Sequence, residues 1–141
     1  MTTIKKQIGI WLDFKEAWVV ILEGEENNKP EVRHIQSEIE WGVPKGGSRS
    51  NTPWGPHMAI NEQAFLARRK QAEKQYFEAI LGAIDPQADE LMIFGPAEAK
   101  TGLQQVIKNI KHFHPQVKSV HPADSMTQNQ IVAAVKDFFN A

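Results

Sequence analysis

The sequence predicts a single α/β domain in which a mixed, five-stranded sheet carries helices on its faces. Two short apolar runs flank a turn near the start of the chain, as in a β-hairpin. Later, short apolar runs alternate with stretches of helical periodicity, as in βα units with parallel strands. The length of 141 residues is typical of one domain, residues 1–141, with its own core.

The first three strands form a predicted antiparallel meander. Residues 8–12 and 17–22 are apolar, with branched and aromatic members, and the four residues between them begin with Asp13, a residue suited to tight turns. Because both runs are apolar throughout, we expect both of their faces to be covered. In residues 31–40, apolar side chains are spaced among charged ones, which indicates a third strand at the sheet edge.

A long irregular loop, residues 41–60, separates the meander from the first helix. It has four glycines and three prolines and no period, and loops of this length are commonly functional. Asn61 is a predicted N-cap for a helix that continues to about Ile84. The apolar side chains at helical spacing are Phe65, Ala72, Tyr76, Ile80 and Ile84.

The remaining elements complete the order β-β-β-α-β-α-β-α. We predict a buried strand at residues 90–94, a helix at 97–112 and a strand at 117–121. Thr127 and Gln130 have the spacing of a capping box that opens a final helix. The predicted inward side chains of the middle helix are Leu103, Val106, Ile107 and Ile110. This order fits a ribonuclease-H-like sheet.

Composition excludes several classes of protein. Without cysteine there is no disulfide scaffold, thiolate metal site or cysteine nucleophile, which fits a cytoplasmic protein. No apolar run approaches the length of a membrane span, and the first residues lack the pattern of a signal peptide, so we expect no membrane partner. No cofactor-binding motif is present, and we expect no cofactor.

Charge is unevenly distributed although the formal net charge is only -1. Residues 41–74 hold six basic and two acidic side chains. Tryptophan beside basic residues suits stacking on bases next to phosphates, so this stretch is the predicted binding site. Its candidate residues are Lys45, Arg49, Trp54, His57, Arg68, Arg69, Lys70 and Lys74. The alternative is a solvated linker whose tryptophans fold back on the core.

No complete catalytic constellation is visible. Asp13 ends the first strand, where a ribonuclease-H-like enzyme would hold a metal, but a two-metal site needs several converging carboxylates. Glu98 and Asp124 are not at obvious positions for this, so Asp13 is better interpreted as a turn residue. The three histidines of the last third, His112, His114 and His121, lack accompanying ligands, and we expect them to be exposed. We therefore predict no metal site and no catalytic residue.

Several segments, in order along nearly the whole chain, carry a family resemblance. They are the hairpin of residues 10–21, the arginine-rich helix start at 65–70, the strand, turn and helix opening at 91–103, and residues 123–131. Together they resemble the middle domain of the archaeal and eukaryotic peptide-chain release factors and of Pelota, and in particular the small bacterial stand-alone versions of that domain. The resemblance implies the same α/β fold.

In release factors, the loop before the long helix carries Gly-Gly-Gln and promotes hydrolysis of peptidyl-tRNA on the ribosome. The corresponding residues here are Gly46, Gly47 and Ser48, so the glutamine is absent. The resemblance thus implies a translation-associated factor that binds the ribosome or structured RNA, without peptidyl-tRNA hydrolase activity. Two alternatives remain open: a metal-dependent nuclease of the ribonuclease-H-like type, and a protein-interaction module that uses Trp41 and Trp54.

Overall fold

The computed structural model describes residues 6–23, 30–39 and 55–140, with side chains from residue 62 onwards in the last range. Its elements, in chain order, are β1 (Lys6–Leu12), β2 (Glu16–Glu23), β3 (Glu31–Gln36), α1 (Gly55–Gly82), β4 (Glu90–Gly95), α2 (Ala99–Lys108), β5 (Gln116–Pro122) and α3 (Gln128–Asn140). The predicted order of strands and helices is therefore confirmed.

The five strands form one mixed sheet in the order β3-β2-β1-β4-β5. Strand β2 pairs antiparallel with both β1 and β3, whereas β4 pairs parallel with β1 and with β5. The antiparallel meander of β1, β2 and β3, the edge position of β3 and the parallel pairing of β4 agree with the sequence prediction. The predicted α/β class and mixed five-stranded sheet are therefore confirmed.

Helices cover both faces of the sheet, as the continuous apolar strands predict. Alternate side chains of β1 point to opposite faces, because successive residues of a strand do so. Ile8 and Ile10 belong to a core with α1 and α2, whereas Trp11 belongs to a second core with α3. The sheet is thus the middle layer of three.

One aromatic ring from each strand lies in the same row across the α3 face of the sheet. In register, the row runs His34, Trp18, Trp11, Phe94 and His121. The rings of Trp18 and His34 stack at a centroid distance of 4.0 Å, and those of Phe94 and His121 lie 5.4 Å apart. Cross-strand aromatic neighbours of this kind stabilise sheet pairing.

Helix α1 begins at Gly55, so the predicted start at Asn61 is wrong and residues 55–60 of the predicted loop are helical. Pro56 explains the error, since proline usually signals a loop but is well tolerated in the first turn of a helix. Residues 40–54 lie outside the described part of the chain. The predicted inward stripe of α1 is largely right, with Phe65, Tyr76 and Ile80 buried.

Helix α2 is shorter at both ends than the predicted helix over 97–112. Ala97 has a φ of 56°, which is incompatible with a right-handed helix, so α2 starts only at Ala99. At the other end the helix is capped at Asn109. Ile110 therefore lies past the helix and is 39% exposed, which makes its predicted inward position wrong.

The predicted capping box of α3 is present. The backbone amide of Gln130 donates to Thr127 Oγ1 at 3.2 Å, and the Thr127 amide donates to Gln130 Oε1 at 2.9 Å. These reciprocal bonds satisfy amides that the first turn of a helix leaves without partners. They fix the position at which α3 starts. Across the described residues, the helices are too short or too polar to cross a bilayer.

Candidate functional site

Helix α1 carries the described part of the predicted binding site. Its buried stripe of Phe65, Tyr76, Phe77 and Ile80 holds the helix against the sheet. The side chains on the rest of its circumference therefore face away from the core. Arg68, Lys70 and Lys74 are all exposed.

Lys70 and Lys74 lie one helical turn apart beside a groove between α1 and α2. The groove has a volume of about 520 Å³, and Gln71 and Glu73 also line it. Its apolar surface comes from Phe77 of α1 and Val106 of α2. Two ammonium groups, an amide, one carboxylate and an apolar floor are thus brought together on one surface.

A glycine allows the two helices to approach at this groove. A Cβ at Gly102 of α2 would lie 2.8 Å from Cζ of Phe77, which is closer than side-chain carbons pack. The ring of Phe77 therefore occupies space that any other residue at position 102 would fill. The small residue at this position helps to form the floor between Lys70 and Val106.

Arg68 lies on the other side of α1. It lines a depression of about 360 Å³ together with Glu38, Gln71, Ala72 and Gln75. Gln71 borders both this depression and the groove beside α2. The exposed basic residues of α1 thus border two neighbouring concave surfaces, which are joined across Gln71.

Arg69 is in a different environment from the other basic residues of α1. Its Nε lies 3.6 Å from Oε1 of Glu73, one turn later, and both side chains are about 30% exposed. Pairs with this spacing stabilise a helix by a few tenths of a kcal/mol, about 0.2–0.5. The sequence placed Arg69 in the site with its neighbours, whereas the structure pairs it within the helix.

The other predicted site residues are not described by the structure. Lys45, Gly46, Gly47, Ser48, Arg49 and Trp54 lie outside the described residues. His57 falls in the first turn of α1, but its side chain is not among those described. The described site is therefore the outer surface of α1 and the adjoining side of α2.

Asp13 serves the turn between β1 and β2. Its Oδ1 accepts hydrogen bonds from the amides of Lys15 and Glu16, both at 2.8 Å. Within residues 6–23, 30–39 and 62–140, no three histidine, aspartate or glutamate side chains gather in a way that could hold a metal ion. The interpretation of Asp13 as a turn residue is confirmed.

The carbonyl groups of the same turn are also bonded. Tyr76 Oη donates to the Asp13 carbonyl at 2.8 Å, and Ser37 Oγ donates to that of Phe14 at 2.5 Å. Burial raises the pKa of Tyr76 well above its ordinary value, and the nearby carboxylates of Asp13 and Glu16 raise it further. The hydroxyl therefore stays protonated and acts as a donor, which holds the turn against α1.

The three histidines of the last third differ in exposure. His112 and His114 are exposed, as predicted. His121 is partly buried, with Nδ1 2.8 Å from Oγ of Ser119 and its ring stacked on Phe94, so its predicted exposure is wrong. Phe94 of the neighbouring strand and Phe138 of α3 explain this, since both rings stack near the His121 ring on the edge strand.

Sequence reasoning did not identify the apolar part of the groove. Phe77 was not placed in the inward stripe, although its position next to Tyr76 lies on the α2 side of the same helical face. A helical projection that included every aromatic residue of α1 would have found it. Comparison with known proteins adds no assignment, because no protein-family model matches the chain and no curated protein matches its sequence.

Proposed function

We propose that this protein is a cytoplasmic, translation-associated factor that binds the ribosome or structured RNA and has no peptidyl-tRNA hydrolase activity. The observation that carries the proposal is the pair Lys70 and Lys74, exposed side by side at the groove between α1 and α2. The proposal also rests on the sequence resemblance to the middle domain of release factors.

The chemistry of the α1 surface suits a phosphodiester chain. Lysine ammonium groups bind phosphate as point charges, and arginine can bind it through two parallel hydrogen bonds. Gln71 and Gln75 offer amides that both donate and accept, as base edges require. Because the net charge of the whole chain is close to zero, binding depends on this local surface.

The sequence before α1 holds further residues suited to RNA binding. Lys45 and Arg49 flank Gly46, Gly47 and Ser48, and Trp54 follows. Stacking of a base on a tryptophan contributes roughly 1–3 kcal/mol. Peptide release would require the glutamine that Ser48 replaces, so the proposed activity is binding without hydrolysis.

The nuclease alternative has less support from the described residues. It requires the carboxylate of Asp13 to bind metal, yet Oδ1 of that group accepts two backbone amides of its own turn. Titration calorimetry with magnesium or manganese should therefore show no specific binding. A clear isotherm that disappears in Asp13→Asn would favour the nuclease and contradict the present proposal.

Sedimentation with purified ribosomes tests the proposal directly. Wild-type protein should sediment with ribosomes at low salt and be released as salt is added, because each phosphate contact releases counterions. Replacing Lys45 and Arg49 together should reduce the dependence of binding on salt. Trp54→Ala should weaken binding but leave its dependence on salt unchanged. Wild-type protein that binds neither ribosomes nor structured RNA at low salt would overturn the proposal and direct attention to Trp41 and Trp54 as a protein-binding site.

A further inference from the structure

A second basic surface lies where α2 ends and β5 begins. Residues 99–123 contain four lysines and three histidines and no acidic residue. Four of these side chains are exposed at the corner between the two elements. They are Lys108, Lys111, His112 and His114, and we refer to them as the α2–β5 corner.

The backbone of the α2–β5 corner is well anchored. The amide of Asn109 donates to the Val106 carbonyl at 3.1 Å, and that of Ile110 donates to the Ile107 carbonyl at 3.0 Å. Phe113 packs against the core and Pro115 is buried, each beside an exposed histidine. The basic side chains therefore extend from a fixed turn.

The lysines of the α2–β5 corner have no acidic partner within the described residues, where neither Lys108 nor Lys111 forms an ion pair. Lys118 of β5 lies 3.7 Å from Glu90 and is for that reason not part of the corner. Glu90 also accepts a hydrogen bond from Gln7 at 2.7 Å. The Glu90 carboxylate is thus already engaged by Gln7 and Lys118.

The helix dipole explains only part of this arrangement. A cation in the last turn of a helix is stabilised by the carbonyl end of the dipole, and Lys108 occupies that turn. Lys111, His112 and His114 follow after the end of α2. Their accumulation without an acidic residue is typical of a surface that binds a polyanion.

We propose that the α2–β5 corner is a second contact for the phosphodiester backbone of RNA. The choice of RNA rests on the proposed function, because the corner lies on the same face of the sheet as α1. Val106 of α2 lines the groove beside Lys70 and Lys74, and Ile107 and Phe113 pack into the same core as α1. One RNA chain can thus contact α1 and the corner on the same side of the sheet.

Affinity for single-stranded oligouridine, measured over a series of salt concentrations, tests this inference. The corner variant is Lys108→Gln with Lys111→Gln, and the α1 variant is Lys70→Gln with Lys74→Gln. The control is Lys15→Gln with Lys136→Gln, which removes the same charge from the β1–β2 turn and from α3 on the opposite face. For two lost contacts, the negative slope of log affinity against log salt should become less steep by about 1.4, at 0.7 per contact.

The corner inference is supported when the corner variant makes the salt slope less steep and the control does not. It is overturned when the corner variant has the same affinity and salt slope as the control. The proposed function survives that result if the α1 variant still weakens binding. If the corner variant alone weakens binding, the corner is supported and the α1 site is wrong. Loss of binding to anionic lipid vesicles but not to oligouridine in the corner variant would also overturn the inference.

Discussion

A single side chain, that of Tyr76, connects helix α1 to the turn between β1 and β2. Its hydroxyl donates to the carbonyl of Asp13 at 2.8 Å, and its side chain is only 3% exposed. It is the only tyrosine of the chain, so tyrosinate absorbance reports this one site. The same turn is also bonded to the segment after β3, since the amide of Ser37 donates to the carbonyl of Lys15 at 2.9 Å.

Alkaline pH should destabilise the fold through Tyr76. Its folded-state pKa is raised above the unfolded value of about 10, so its contribution is complete below that value and is lost as the pH rises above it. We expect tyrosinate to form only together with unfolding, measured by absorbance and circular dichroism on the same sample. Tyrosinate formation near pH 10 in a protein that stays folded would contradict the buried hydroxyl.

Tyr76→Phe is the matched variant for this prediction. It removes the hydrogen bond to Asp13 and keeps the ring, and we expect a loss of about 1 kcal/mol in the free energy of unfolding at neutral pH. Between pH 9 and 11, as rough bounds, its stability should decline less than that of wild-type protein. An equal alkaline decline in both proteins would assign the effect to another group, such as Lys6, whose pKa is raised by its hydrogen bond with Asp85.

Lys6 and Asp85 join the start of β1 to the segment after α1. Lys6 Nζ donates to Asp85 Oδ2 at 2.8 Å, and this bond holds the pKa of Asp85 below its ordinary value. The carboxylate therefore contributes stability above an unfolded pKa of about 3.9, and the contribution is lost as the pH falls through the lower folded-state pKa. Asp85→Asn should be less stable than wild-type protein at neutral pH and nearly equal to it in strong acid.

Urea unfolding at several pH values measures this difference. Asp137→Asn is the control, because Asp137 is exposed on α3 at the opposite face of the sheet. We expect the control to follow the wild-type profile. A constant gap between Asp85→Asn and wild-type protein from neutral to acidic pH would show that the stability difference does not come from ionisation of Asp85.

At the scale of elements, Gly9 sets how closely α3 approaches the sheet. A Cβ at Gly9 would lie 2.3 Å from Cγ2 of Val135, so alanine there forces the helix and strand apart. We expect Gly9→Ala to destabilise the protein by about 1–3 kcal/mol. Gly82→Ala is the control, since no atom lies within 4 Å of its added Cβ, and we expect a change of at most about 0.5 kcal/mol.

Combining Gly9→Ala with Val135→Ala tests the contact itself. The second substitution removes the methyl groups that the new Cβ would meet, so the double variant should be more stable than the sum of the two single effects predicts, by about 0.5–3 kcal/mol. Denaturant unfolding of the four proteins gives this coupling. Strictly additive effects would place the cause of the Gly9→Ala loss elsewhere.

The sequence was most informative where one residue type dictates local structure. Branched and aromatic runs located the strands, and Thr127 with Gln130 located the start of α3. The start of α1 could not be found in the same way, because proline fits both a loop and a first helical turn. The start of α2 depends on the positive φ of Ala97, which its residue type does not signal.

The candidate site could be predicted in part, where residue type and helical spacing decide which side chains are exposed. Charge counting and helical spacing placed Lys70 and Lys74 on the outer side of α1. The groove beside them arises from the approach of two helices at Gly102, Phe77 and Val106, which are far apart in sequence. A contact of this kind depends on tertiary packing and cannot be obtained from the period of one helix.

Over the whole molecule, opposite charges are separated although the total is only -1. Residues 41–74 and residues 99–123 each have an excess of four positive charges, and their described parts lie in α1, α2 and the α2–β5 corner. The rest of the chain is therefore acidic. A polyanion should meet the α1 and α2 side of the sheet and be repelled by the remaining surface.

The salt dependence of RNA binding by Lys70→Gln with Lys74→Gln tests the central claim most directly. Wild-type protein should bind single-stranded RNA with a log affinity that falls linearly with log salt, and the slope of the double variant should be less steep by about 1.4. The Lys15→Gln with Lys136→Gln control should keep the wild-type slope. A variant with the same slope and affinity as this control, or wild-type protein that binds no RNA at low salt, would contradict the assignment of α1 as an RNA-binding surface.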